Sequence, residues 1–322
     1  MNDLAIHLQD EAAESFRADV LAGLRHKPRR IPPKYFYDAR GAALFDQICQ
    51  LEEYYPPRAE LEILETHAAE IARALGTQVL LVEFGVGTAE KSTRLLRAMT
   101  DPAGYVAVDL CVAQIEASAK AVGDAIPGLP IVACLADFTA PLPLTHSTAG
   151  AMPRARRTVV YFPGSTIGNF DPAEALKLLR RIRRKVGPGG AALIAVDRKK
   201  DPAVIERAYN DTRGVTAAFN LNLLTRINRE LGGDFDLGAF QHLALYDPWR
   251  GRAEMHLQSR RDQIVCVDRQ CFSLRAGETL HTENSYKYAP EEFAALATEA
   301  GFAPGREWHD AEQRFGVYLL QA

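Results

Sequence analysis

The residues of this chain that could do chemistry together fall at the ends of short apolar runs. Val79-Leu80-Leu81-Val82 ends in Glu83 and a Gly-x-Gly turn, Gly85-Val86-Gly87. Tyr105 to Val108 ends in Asp109, 24 residues beyond Gly85. Ile131 to Leu135 leads to Asp137-Phe138, and Thr158 to Phe162 leads to Pro163-Gly164-Ser165-Thr166-Ile167-Gly168-Asn169. Open α/β sheets bind ligands at the carboxyl ends of parallel strands, and glycines there let the backbone approach a ligand closely. A carboxylate after the second strand can accept both hydroxyls of a ribose. One after the third can accept from an adenine amino group while the ring beside it covers the base. Read singly, Glu83, Asp109 and Asp137 are ordinary loop carboxylates. The ordered set points to a nucleotide-like cofactor, with the reacting group beside Gly164 to Asn169.

The elements that must position these residues follow from the pattern around them. Apolar runs at 79–82, 105–108, 131–135, 158–162 and 191–196 alternate with helical stretches near 91–99, 112–122 and 172–186. Short, continuously apolar strands joined by helices imply a parallel sheet covered on both faces. Asp171-Pro172 opens the third of those helices, and Gly187-Pro188-Gly189-Gly190 closes it. From Leu243 to Ser285 the runs shorten and alternate with period two, which predicts an antiparallel meander. A helix over 290–300 and a strand over 315–320 would return to the parallel sheet. The expected class is α/β with a second, mixed α+β domain. Its boundaries are 61–199 plus 286–322 for the sheet domain and 1–60 plus 200–285 for the other. The Pro-, Thr- and Ala-rich stretch Thr139 to Arg157 reads as a surface excursion.

Composition excludes several classes. The 322 residues are 47% hydrophobic and carry a net charge of -3, so nothing argues for nucleic acid or an anionic membrane surface. No apolar run reaches the roughly 20 residues of a membrane helix. The segment MNDLAIHLQDEAAESF is amphipathic and acidic, unlike a signal peptide. Five scattered cysteines without CxxC read as reduced thiols, and the eight histidines never fall at i and i+4. The expectation is a metal-free, monomeric cytoplasmic enzyme.

The turn also chooses between cofactors. A dinucleotide would want a third glycine where Glu90 stands, and a carboxylate is a poor neighbour for a pyrophosphate. S-adenosylmethionine has no phosphate; it has a sulfonium and an amino acid tail whose carboxylate Lys91 could hold.

The motifs PPKYFYDARGAALFDQI, EYYPPR, VEFGVGTAEKSTRLL, ADF, GSTIGNF, RAYND, GVTAAFN, RAEMHL and TENSYKY run through nearly the whole chain. In them the sequence resembles the histidine Nα-methyltransferases of ergothioneine biosynthesis, which convert L-histidine to hercynine. The resemblance implies a class I, Rossmann-like methyltransferase sheet with a substrate-binding domain. It implies that Gly85 and Lys91 line the cofactor, Asp109 holds its ribose, and Asp137 with Phe138 its adenine. Tyr55, Asn169 and Tyr209 would grip the substrate's α-carboxylate and orient its amine. Glu283 and Ser285 would bond the imidazole nitrogens, with Met255 packed near that ring. Gly164, Thr166 and Tyr37 would lie around the methyl-accepting nitrogen. Val86 departs from the smaller residue expected at its position.

Plainer readings stand beside these. The aromatics at 35–37 and 54–55 would serve equally as core, Glu283 as a solvated face, and Asn169 as a helix-start residue. Arg180 to Lys185 complement a helix dipole. His242, His256 and His281 read as polar surface residues. Three rival functions remain: a methyltransferase of a tryptophan derivative, an NAD-dependent oxidoreductase, and a non-catalytic S-adenosylmethionine-binding regulator.

Overall fold

The computed structural model describes residues 3–140 and 154–322, with side chains from residue 14 onward. Most of the excursion expected at 139–157 therefore lies outside the described residues. In chain order the elements begin with α1 (Asp3–Arg25), β1 (Arg29–Arg30) and α2 (Ala39–Ile48). Then come α3 (Pro56–Leu75), β2 (Val79–Phe84), α4 (Glu90–Ala98), β3 (Gly104–Asp109), α5 (Val112–Ala125), β4 (Ile131–Leu135), β5 (Arg157–Phe162), α6 (Pro172–Val186) and β6 (Ala191–Asp197). After these come α7 (Pro202–Tyr209), α8 (Val215–Leu231), β7 (Phe240–Asp247), β8 (Arg252–Ser259), β9 (Gln263–Val267), β10 (Gln270–Leu274) and β11 (Thr279–Tyr286). The chain ends with α9 (Pro290–Glu299), β12 (Ala303–His309) and β13 (Phe315–Gln321). Among the described residues no helix is long and apolar enough to cross a membrane.

The chain divides into two compact units, Met1–Tyr55 with Asp201–Ser285, and Pro56–Lys200 with Tyr286–Ala322. The first boundary lies earlier than the sequence suggests because α3 already begins at Pro56. On α3, Glu60, Ile63 and Leu64 are buried, whereas Leu61 is only half-buried.

The larger unit carries a seven-stranded sheet in the order β12-β13-β6-β5-β2-β3-β4. Strands β4, β3, β2, β5 and β6 run parallel, and β13 is antiparallel to both β6 and β12. This is the doubly wound, Rossmann-like arrangement of class I methyltransferases. The chain winds outward from β2 in both directions, so the strand order reverses between β2 and β5, where such sheets open a ligand crevice. All six residues of β2 are buried, as a strand covered on both faces requires. Leu80, Val82 and Phe84 point into the core beneath α6 and α9, packing with Val160, Phe162, Leu179, Ile194 and Phe293. Strand β12 escapes the sequence pattern because APGREWH is mostly exposed, polar and interrupted by Pro and Gly, as an edge strand tolerates.

In the smaller unit the expected meander is two separate pieces. One is a four-stranded sheet, β1-β11-β8-β7, in which β1 runs parallel to β11. The other is the hairpin β9–β10, which among the described residues pairs only with itself and turns through Asp268 and Arg269, both at positive φ. Cys266 and Cys271 face each other across that hairpin, 4.0 Å apart at Cα, and form a disulfide. The expectation of five reduced thiols is thus corrected; Cys49, Cys111 and Cys134 are in no disulfide.

Candidate active site

At the carboxyl end of β2 the chain turns at Gly85, whose φ of +75° suits a residue without Cβ. Its N–H donates to the Val108 carbonyl at 2.9 Å, tying the turn to β3. The Asp109 carboxylate accepts from the Cys111 N–H at 2.9 Å and from the Leu110 and Val86 N–H groups. Burial nevertheless holds its pKa above the ordinary carboxylate value. A Cβ on Gly85 would stand 3.9 Å from the Phe138 ring, so turn and ring border the same space. Phe138 stacks on Phe84 with centroids 5.4 Å apart and planes 12° apart, and meets Phe162 edge-on at 5.4 Å. Asp137 Oδ1 accepts from the Thr139 N–H at 2.8 Å and from its hydroxyl. An apolar wall with two carboxylates at its margins can take a flat heterocycle on one side and a diol on the other.

Beneath the turn, on the sheet face opposite that wall, lie two buried carboxylates. Glu60 of α3 was not expected there. It pairs with Lys91 and accepts from the Tyr161 hydroxyl at 2.7 Å and the Gly164 N–H at 2.9 Å. One side chain thus joins α3, α4, β5 and the loop after β5. A trace was present in the sequence, since Glu60 falls on the same helical stripe as Ile63 and Leu64. Glu83, the neighbouring carboxylate, accepts from the Ser92 and Tyr105 hydroxyls. Burial pushes its pKa up to about 7, against those two donors and Lys91.

The Glu83 shift gives stability a pH dependence. From the ordinary value of 4.5 up to about 7, native Glu83 keeps a proton that the unfolded chain has released. Stability contributed by this group therefore falls as pH rises through that window, in total on the order of 3 kcal/mol. Glu83→Gln, which keeps the shape and cannot ionise, should gain on the wild type by about that amount between pH 5 and 8. Urea unfolding of both proteins at the two pH values measures it; a constant difference would show that Glu83 does not titrate there.

The loop after β5 is fixed from several sides. Gly164 has φ +70°, Ser165 is left-handed at φ +57°, and Thr166–Asn169 forms a single 3-10 turn that Asn169 ends, so it starts no helix. The Thr166 hydroxyl donates to the Pro163 carbonyl at 2.9 Å. Gly168 admits no side chain, since a Cβ would meet the Tyr286 carbonyl oxygen at 2.6 Å. Ser165 Oγ accepts from the Asp197 N–H at 2.8 Å. The Asp197 side chain, fully buried at the end of β6, takes Lys287 Nζ at 2.7 Å and Lys200 Nζ at 2.5 Å. Burial raises its carboxyl pKa, but the two ammonium groups outweigh burial and hold it below the ordinary range.

The smaller unit gathers the other expected residues. The Tyr209 hydroxyl donates to Ser285 Oγ at 2.7 Å, and both are buried. Glu283, expected as an exposed face in the plainer reading, is only 8% exposed. Tyr54 meets the Tyr209 ring edge-on at 6.1 Å. Burial first, then Tyr209, Cys49, Glu283 and Tyr37, pushes its hydroxyl far above the usual tyrosine range. Tyr37 packs edge-on against Phe45 at 5.5 Å and Phe219 at 5.8 Å. Tyr55 is buried immediately before α3, and Met255 is buried on β8, where its carbonyl accepts from Thr282 at 3.0 Å. His242, His256 and His281, expected on the surface, are half-buried. His242 bonds Asn220 and the Tyr209 carbonyl, each at 2.9 Å, and burial lowers its pKa.

The family model for histidine-specific, SAM-dependent methyltransferases matches residues 16–322 of this chain. Histidine N-alpha-methyltransferase from Mycolicibacterium smegmatis is 42% identical over 316 residues, covering 96% of each chain. The protein of the same name from Mycobacterium tuberculosis is 40% identical over 322 residues, covering 98% of each. Ergothioneine biosynthesis protein 1 from Neurospora crassa is 30% identical over 98% of this chain, which spans 35% of that longer protein. With a match across both units and the strand order described above, the chain belongs to the histidine-specific, S-adenosylmethionine-dependent methyltransferase family.

Proposed function

We propose that the enzyme methylates the α-amino nitrogen of L-histidine three times, giving hercynine, the first step of ergothioneine biosynthesis. S-adenosylmethionine supplies an electrophilic methyl group on a sulfonium. The residues at the carboxyl ends of β2 to β5 fit that donor. The left-handed Gly85 turn leaves backbone beside the Phe138 ring, and the carboxylates of Asp109 and Asp137 flank the wall. Asp109 would accept from the ribose hydroxyls and Asp137 from the adenine amino group. Lys91 pairs with Glu60, and an ammonium carries three donors, so a tail carboxylate can share it. Gly164 and Thr166, braced by Glu60 and Pro163, would border the donor's reactive end.

The observation that carries the substrate reading is the buried Tyr209–Ser285–Glu283 set. Neutral imidazole offers one N–H and one lone pair. A carboxylate can accept the first. A serine hydroxyl that accepts from Tyr209 can donate to the second. An indole offers one N–H and no acceptor, so the same pair disfavours a tryptophan derivative. Asn169, Tyr55 and Tyr209 are assigned to the α-carboxylate and amine, and Met255 to packing against the ring. Tyr37 and Tyr55 would present aromatic faces to the cationic methylated products. Methyl transfer needs nitrogen and carbon held at attack distance and a deprotonated amine; it needs no strong base.

Calorimetric titration with L-histidine and with L-tryptophan, each with S-adenosylhomocysteine present, tests the substrate choice. Histidine should bind at least about tenfold more tightly, the equivalent of roughly 1.4 kcal/mol. Equal affinities would overturn the assignment of Glu283 and Ser285.

A further inference from the structure

Glu254, His256 and His281 form a cluster that the methylation chemistry does not use and that sequence spacing did not reveal. Glu254 and His256 lie two apart on β8, and His281 comes from β11. One ligand atom from each residue falls within 4.8 Å of the others. Glu254 Oε2 stands 2.9 Å from His256 Nε2, and the two imidazole centroids are 5.0 Å apart. Glu254 and His256 are 10% and 13% exposed at their side chains.

The surroundings orient these groups as ligands. Arg252 donates to Glu254 Oε1 at 2.7 Å, which leaves Oε2 turned toward His256. The Nε2–H of His281 donates to Asn284 Oδ1 at 2.8 Å, which places the lone pair of neutral imidazole on Nδ1. His256 Nδ1 is buried with no hydrogen-bond partner among the described residues. A buried ring nitrogen without a partner calls for a water or an ion.

We propose that Glu254, His256 and His281 bind one divalent transition-metal ion of the zinc type, linking β8 to β11. Two imidazoles and a carboxylate suit zinc, cobalt or nickel, whereas calcium and magnesium prefer all-oxygen shells. Three protein donors leave a position for water. The ion would cross-link the two strands that carry Met255, Glu283 and Ser285.

The test uses the full-length, tag-free protein stripped with a chelator and titrated with cobalt(II) in buffer without histidine. The expected result is one cobalt per chain, a visible d–d absorption, its displacement by zinc, and a melting temperature raised by a few degrees. His281→Ala and Glu254→Gln should each abolish the band, while His67→Ala, half-buried on α3, should keep it. Wild-type protein that takes up no cobalt at micromolar concentration overturns the proposal. So does a band that survives in folded His281→Ala protein. Should that variant fail to fold, Glu254→Gln decides by the same criterion. None of these readouts depends on methyl transfer.

Discussion

Glu283→Ala is expected to lower kcat/KM for L-histidine by about a hundredfold, leaving the dissociation constant for S-adenosylmethionine within about twofold of wild type. Glu283 is buried two residues before Ser285 on β11. On the proposed assignment, removing its carboxylate would leave the imidazole N–H of a bound histidine without an acceptor. An unmet buried donor costs about 1–3 kcal/mol, and more when the lost partner is charged. Most of the loss should appear in KM, because the imidazole does not react and its contacts are the same before and during methyl transfer. Glu283→Gln keeps an acceptor oxygen and should fall between the two. Steady-state kinetics with histidine, paired with calorimetry of S-adenosylmethionine binding, separates the outcomes. Equal losses in both would mean that Glu283 supports the fold rather than reads the substrate.

Asp197→Ala is expected to be the most destabilising of the substitutions considered. The change takes the carboxylate away from two buried ammonium groups, Lys287 at 1% and Lys200 at 9% side-chain exposure. Breaking a buried ion pair by removing one partner costs about 3–5 kcal/mol, since the surviving charge keeps its desolvation cost. Here two charges survive against a single lost carboxylate. The Asp197 N–H also donates to Ser165 Oγ, so a shift of the β6 end would disturb the Gly164 to Asn169 loop. The urea midpoint of unfolding should fall accordingly. The triple change Asp197→Ala, Lys200→Met, Lys287→Met should recover a large part of the loss. No recovery would show that backbone geometry, not charge, is what Asp197 provides.

The parallel sheet was legible because buried strands read as unbroken apolar runs and their turns are marked by glycine. VLLVEF followed by Gly85 needs no partner to be recognised. Strand β12 was not legible, because an edge strand needs neither apolar continuity nor freedom from proline. The meander failed for another reason. Period-two alternation identifies strands but not their neighbours, so it could not show that β9 and β10 pair only together or that the two-residue β1 joins β11 in parallel. Long-range polar pairs were the least visible. Glu60 and Gly164 are 104 residues apart, and His281 comes from a different strand than Glu254 and His256. Only the family resemblance singled out Tyr209 and Ser285, 76 residues apart, before the structure showed their hydroxyls bonded.

Which atom is methylated, and how many times, is open to direct measurement. Purified protein incubated with L-histidine and S-adenosylmethionine carrying a trideuterated methyl group gives a direct answer by tandem mass spectrometry. The expected product carries three labelled methyl groups, all lost together as trimethylamine from the α-carbon, with mono- and dimethylated species appearing earlier in the time course. Label on the imidazole ring, transfer to tryptophan in preference to histidine, or no transfer at all would contradict it.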